Sequence, residues 1–187
     1  RLDYKLPGNL SDFDPDDFIS EAGGFVRKNI NDEIVAIALS GGVDSNVAAH
    51  LLHKIIGERL HPFFIDDGGR RIIMGREEWE ETVDILKDLT NLEVIHAEGR
   101  VLPLLYGLSN GELKRKVFRQ VYTDISNEYI KRINASCIAD GTIRPDIIET
   151  SGKIKVKTQH NVDLPYVVPK LEILASLSKP HVRRVGK

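Results

Sequence analysis

A single cysteine, Cys137, in 187 residues excludes an intrachain disulfide and a CxxC metal site. It agrees with a reducing compartment. Charge of one sign is also lacking: 26 Lys and Arg against 28 Asp and Glu leave a formal charge of −2. A general nucleic-acid binder would carry a basic excess, so no nucleic-acid partner is expected. No apolar run approaches the roughly 20 residues of a membrane span, so no membrane partner is expected either. The acidic start, with Pro7 and Gly8, is not the pattern of a signal peptide. A cytoplasmic location follows as the expectation. The chain has no internal repeat and no low-complexity tract.

What is present is ordinary for a globular protein: 41% hydrophobic and 29% charged residues. The length suits one well-buried α/β domain. Residues 1–14 mix Pro7, Gly8, Asn9 and aspartates with isolated apolar residues, and read as an N-terminal arm outside the core. The domain proper is expected over 15–187. Asp14-Pro15 reads as an N-cap with proline at the first helical position. Phe18, Ile19, Ala22 and Val26 give that helix an apolar stripe.

Residues 34–39 form an unbroken, β-branched apolar run, which suits a strand covered on both faces. Val47, Ala48, Leu51, Leu52, Ile55 and Ile56 then recur at helical spacing, and Gly57 can end the helix. Strands are expected at 60–65, 92–96 and 136–139, and helices at 77–89 and 112–133. Residues 152–165 lack periodicity and read as a loop. Short helical segments follow Leu171, the last starting at Ser178-Lys179-Pro180. This alternation predicts a doubly wound parallel sheet with helices on both faces. Ligands of such sheets sit beyond the carboxyl ends of the strands. The loops at 40–45, 66–71 and 140–149 are therefore the candidate site.

Ser40-Gly41-Gly42-Val43-Asp44-Ser45 stands between the first strand and a helix. Glycines let backbone amides approach an anion, and the helix start adds unpaired N–H groups and a positive dipole end. Ser40 and Ser45 offer hydroxyl donors. Asp44 would repel phosphate directly but fits a Mg²⁺ ligand that bridges to phosphate. The GK[ST] ending of a Walker A loop is missing, which disfavours a P-loop kinase or GTPase. The competing reading is a strand–helix turn capped by Ser and Asp, with no ligand.

Ser40 to Ser45 resembles the SGGxDS signature of the PP-loop ATP pyrophosphatases, an adenine nucleotide alpha hydrolase-like superfamily. Asp140-Gly141-Thr142-Ile143-Arg144-Pro145-Asp146-Ile147-Ile148-Glu149 resembles the GTIxPDxIES segment of the GMP synthetase branch. Residues 64–71, 112–118, 155–162 and 172–179 resemble that branch's FVDxGxLR, ExKRKIIG, IKSHHNV and EPLxxLxK. The resemblance spans about residues 18–187.

It implies that Mg-ATP adenylylates the C2 oxygen of xanthosine monophosphate (XMP), and that ammonia then displaces AMP to give GMP. It also implies that Ser40, Gly41, Gly42, Val43, Asp44 and Ser45 hold ATP and pyrophosphate. Asp66 and Gly141 join them at the neighbouring strand ends. Asp44 is the implied metal ligand, and Asp44, Asp146 and Lys157 the implied catalytic residues. Arg100, Asp146, Glu149 and His160 fall on the substrate side. The competing readings are a helix-start carboxylate for Asp146, a solvated helix residue for Glu149 and an idle loop residue for His160.

Departures from the family pattern fall at Gly69, Arg119, Thr158-Gln159, Asp163 and Ile173. The sequence also lacks the family's C-terminal dimerisation domain and a glutaminase domain. A separate class I amidotransferase subunit, as in the two-subunit archaeal members, is the implied ammonia source. A homodimer through the missing domain is implied as well. Two alternatives stand beside this reading: a catalytically impaired PP-loop nucleotide-binding or regulatory subunit, and a tRNA-thiolating PP-loop enzyme.

Overall fold

Every side chain of β1 (Val35–Leu39) is buried, as expected for a strand covered on both faces. The computed structural model describes residues 1–69, 72–73, 76–145 and 164–187. β1 is the middle of a five-stranded sheet. On one side it pairs with β2 (Leu60–Asp66), which pairs with β5 (Glu93–His96). On the other side it pairs with β6 (Cys137–Ala139), which pairs with β7 (Lys170–Leu171). All four pairings are parallel, and the strand order is β5-β2-β1-β6-β7. The chain winds outward from β1 to β5, then crosses back to β6. The order therefore reverses between β1 and β6, the place where doubly wound sheets bind ligands. A small antiparallel pair, β3 (Ile72–Ile73) and β4 (Arg76–Glu77), lies outside this sheet.

The alternation along β1 divides the core. Val35, Ile37 and Leu39 pack with Phe18, Ala22 and Val26 of α1 (Pro15–Asn29) and with Ala48 and Leu52 of α2 (Val43–Ile56). Ala36 and Ala38 point the other way, toward Val101 of α4 (Glu98–Leu105) and Ile125, Tyr129 and Ile130 of α5 (Gly111–Arg132). The small alanines leave room for bulk on that face: Phe63 and Tyr129 lie with ring centroids 4.5 Å apart. Helices thus cover both faces, as the alternating pattern predicted. α3 (Glu78–Ile85) and the last helix, α6 (Lys179–Val185), complete the helices described.

Several boundaries follow local chemistry. The Asp14 side chain accepts the Asp16 N–H at the start of α1, with Pro15 at its first position. Asn110 does the same for α5, accepting from Glu112 and Leu113 N–H. α4 was not legible, because it is short and carries Pro103, which breaks most helices. β7, only two residues after Pro169, was missed for the same lack of signal.

The reading of residues 1–14 as an arm outside the core needs correction. Leu2, Tyr4 and Phe13 are buried in the same cluster as β1, α1 and α2. Phe13 meets Tyr4, Phe18 and His181 with ring centroids at 6.1, 6.2 and 4.8 Å. Arg184 of α6 donates to the Leu10 and Phe13 carbonyls, so the segment is held from both sides. The isolated apolar residues had no period to reveal this. Phe13→Ala should lower stability by about 3–5 kcal/mol, the usual cost of emptying a buried phenyl site. Urea unfolding followed by circular dichroism would measure it; a change below about 1 kcal/mol would mean the segment is not core.

Candidate active site

The loop 40–42 leaves β1 and delivers the chain into α2. Gly41 takes φ 78°, a conformation that L side chains rarely adopt. The Ser45 hydroxyl folds back to donate to the Gly42 carbonyl at 3.0 Å and accepts the Ser40 N–H at 3.3 Å. The Ser40 and Ser45 hydroxyl oxygens lie 3.2 Å apart. Ser45 is buried, while Ser40, Gly41, Gly42 and Val43 are exposed. The loop therefore holds its own shape while its outer rim faces solvent.

Unlike α1 and α5, α2 has no side-chain cap: its N-cap is Gly42. The serine half of the competing picture is present in the turn itself, where the Gly42 N–H donates to the Ser40 hydroxyl at 3.4 Å and Ser45 bonds the Ser40 N–H and the Gly42 carbonyl. Gly42 offers the first-turn amides of this 14-residue helix no side-chain cap, and the helix dipole favours an anion there. The Asp44 side chain, in that first turn, is 19% exposed and lies 3.3 Å from Lys179 Nζ of α6 through Oδ2. Its Oδ1 is buried, with no hydrogen-bond partner among the described residues. A buried carboxylate oxygen left in this way is costly unless a cation or donor joins it. Lys179 stands in a helix start and at the end of the stretch that resembles EPLxxLxK, but its approach to Asp44 comes from the tertiary fold.

Across the reversal point, Asp140-Gly141-Thr142 leaves β6. Asp140 is 6% exposed; its Oδ1 accepts the Thr142 N–H at 3.0 Å and its Oδ2 lies 2.6 Å from Lys170 Nζ. This turn brings Gly141 directly onto α2. A Cβ at Gly141 would lie 2.5 Å from Ser45 N and 2.8 Å from the Asp44 carbonyl carbon. Two of the three loops singled out in the sequence are thus in contact, and only glycine permits it.

Asp66 ends β2 beside them and is 5% exposed. Its carboxylate accepts the Gly68 N–H at 3.1 Å and lies 3.2 Å from His96 Nδ1. Asp66, His96 and Glu98 are the one group among the described residues with three potential metal-ligand atoms within 4.8 Å, and Asp44 is not in it. Arg100 was placed on the substrate side. It sits on α4 in a two-pronged pair with Glu128 of α5, at 2.6 and 2.9 Å, and that hydrogen bonding holds the Glu128 carboxyl below its ordinary range. Its guanidinium is already engaged there. Asp146, Glu149, Lys157 and His160 lie outside the described residues. Cys137 is buried, and burial pushes its thiol up to about 11, which leaves it protonated and unreactive near neutral pH. This agrees with its reading as a packing residue.

No family model matches the chain. It is 42% identical over 179 residues to a glutamine-hydrolyzing GMP synthase subunit of Methanocaldococcus jannaschii, covering 94% of this chain and 56% of that protein. It is 38% identical over 183 residues to the like-named subunit of Sulfurisphaera tokodaii, covering 94% and 48%. The chain is a homologue of the GMP synthases. It spans about half the length of these relatives. Among solved structures, NMN synthetase from Francisella tularensis superposes with a TM-score of 0.71 at 15% identity, over 94% of this chain and 70% of that one. The fold is accordingly the PP-loop, adenine nucleotide alpha hydrolase-like one.

The Gly141 contact can be tested directly. Gly141→Ala must push the 140–142 turn off α2 against backbone atoms, a strain of about 1–3 kcal/mol. Pyrophosphate affinity, measured by isothermal titration calorimetry, should fall at least about tenfold while the helical signal is kept. Unchanged affinity would show that the contact does not shape the site.

Proposed function

We propose that this chain is the ATP-pyrophosphatase part of a GMP synthetase. ATP transfers its adenylyl group to the C2 oxygen of XMP and releases pyrophosphate, and ammonia then displaces AMP to give GMP. The observation that carries this reading is the uncapped start of α2 at the strand-order reversal, with the orphaned Asp44 oxygen beside it. Kinship with the GMP synthases supports the choice of substrate.

The roles follow from charge. Ser40, Gly41, Gly42, Val43 and Ser45 hold the pyrophosphate portion of ATP through amides and hydroxyls. Asp66 and Gly141 border the site at the neighbouring strand ends. Asp44 has the buried, unshared oxygen that a hard cation requires, so it would hold Mg²⁺ together with phosphate oxygens. The ion supplies neutralisation of the charge that gathers on the leaving pyrophosphate. Lys179, beside Asp44, adds a second cation on that side. The protein's work is chiefly positioning and charge stabilisation, since adenylylation turns a poor leaving oxygen into a good one. Asp146, Glu149, Lys157 and His160 are assigned to the substrate side and the covering loop on the resemblance alone.

Ammonia is proposed to come from a separate glutaminase subunit, with a homodimer formed through a further domain, in the cytoplasm. No described helix is long and apolar enough to cross a membrane.

The gene product that carries this chain should release pyrophosphate from ATP only when XMP and ammonium are both supplied and magnesium is present. Pyrophosphate release without XMP dependence, or none at all, refutes a synthetase; thermal stabilisation by ATP without turnover would instead mark a nucleotide-binding subunit. Asp44→Asn should reduce turnover on the order of 100-fold or more, with circular dichroism unchanged. Turnover near the wild-type rate would remove Asp44 from the metal site.

A further inference from the structure

A chain of mostly buried charges runs up to the candidate site and has no part in the chemistry just described. Lys170, on β7, has a side chain only 16% exposed. Its Nζ lies 2.6 Å from Asp140 Oδ2 and 3.5 Å from Glu172 Oε1. Glu172, 5% exposed, accepts from Arg1 Nε at 2.6 Å, and its carbonyl accepts the Leu2 N–H at 3.0 Å. Two carboxylates and two cations thus alternate from the N-terminal residue to the end of β6. Each buried charge is tolerable because its neighbour opposes it.

The line ends on the residue that shapes the site. Asp140 takes Lys170 with one oxygen and the Thr142 N–H with the other. That second bond bends the turn which seats Gly141 on the backbone of Asp44 and Ser45. β7 is paired in register with β6, Ile138 opposite Lys170, so Lys170 is fixed relative to the strand that carries Asp140.

We propose that Lys170 is a positioning residue for nucleotide binding. Through Asp140 it sets the 140–142 turn against the first turn of α2, and so fixes the amides that receive phosphate. This rests on the reading of residues 40–45 as the pyrophosphate site. Lys170 itself is held by carboxylates behind the turn and does not serve as a phosphate ligand. The relevant quantity is whether Asp140 is neutralised, rather than whether a positive charge stands near the phosphates. With the lysine gone, Asp140 is a buried, uncompensated anion. It must turn toward solvent, draw another cation or take up a proton, and the first two release the Thr142 N–H.

The role makes two variants move in opposite directions. Lys170→Met keeps the length of the side chain and removes its charge. It should weaken pyrophosphate and Mg-ATP binding by about tenfold or more in calorimetry. It should also shift the amide resonances of Thr142 and Ser45. Adding Asp140→Asn to Lys170→Met removes the orphaned charge while Asn Oδ1 can still accept the Thr142 N–H. That double variant should recover affinity to within about threefold of wild type, a coupling that two independent effects cannot produce. Should Lys170→Met fail to fold, the double variant carries the test alone, because a direct phosphate contact by Lys170 would leave it weak. Three results overturn the proposal. One is Lys170→Met binding like wild type, even if it melts earlier. Another is a double variant as weak as the single. The third is a wild-type chain that binds neither pyrophosphate nor ATP, which overturns the nucleotide reading first and this role with it.

Discussion

The fold's function hangs on a contact with no room for a methyl group. Gly141 lies against the backbone of Asp44 and Ser45, at the place where the sheet reverses its winding. A parallel sheet aims its strand ends the same way, so the loops after β1 and β6 must meet there. What distinguishes this crevice is how closely they meet. Backbone packs on backbone there, at the start of a helix whose N-cap glycine supplies no side-chain cap. The proposed anion site is therefore a by-product of close packing at a topological edge, made from main-chain groups whose position cannot drift far.

Charge around this edge is arranged in two layers. In front, Asp44 meets Lys179, an ion pair that is partly open to solvent. Behind, Asp140, Lys170, Glu172 and Arg1 form an alternating line that is mostly buried. Front and rear differ in physical consequence. An exposed pair contributes little to stability, whereas a buried one is costly to break because the partner left behind cannot reach water. The rear layer also explains why the first residues matter. Arg1 and Leu2 reach Glu172 while Tyr4 and Phe13 enter the core, so the N-terminal segment braces the same region that carries the site.

Kinship and fold carry different weight. The fold is shared with an NMN synthetase at 15% identity, which fixes only the scaffold. The likeness to GMP synthases at 38–42% identity is what supports the proposed chemistry, and it covers about half of those proteins. The phosphate loop alone would serve many adenylylating enzymes. The branch-specific signal lies in the turn that begins at Asp140, the partner of that loop across the crevice. Its continuation past Pro145 lies outside the described residues, so the substrate-side roles rest on sequence resemblance.

Local chemistry was legible in the sequence wherever one residue's conformational demand decides the outcome. Asp14-Pro15 starts α1, Gly57 follows α2, the β-branched run at 34–39 becomes the central strand, and Ser178-Lys179-Pro180 opens α6. Alternation of such elements was enough for a doubly wound sheet, and the glycines before Asp44 were enough to mark the strand–helix loop on which the anion proposal rests. Tertiary structure alone decided the rest. β7 is two residues long, and α4 contains a proline, so neither carries a period to read. Leu2, Tyr4 and Phe13 are buried by what surrounds them, and their own spacing gives no sign of it. The meetings of Lys179 with Asp44 and of Lys170 with Asp140 join elements that are far apart along the chain. Periodicity reports which side of an element faces the core. It does not report which charge from a distant element will stand opposite, because that is set by how the strands are ordered in the sheet.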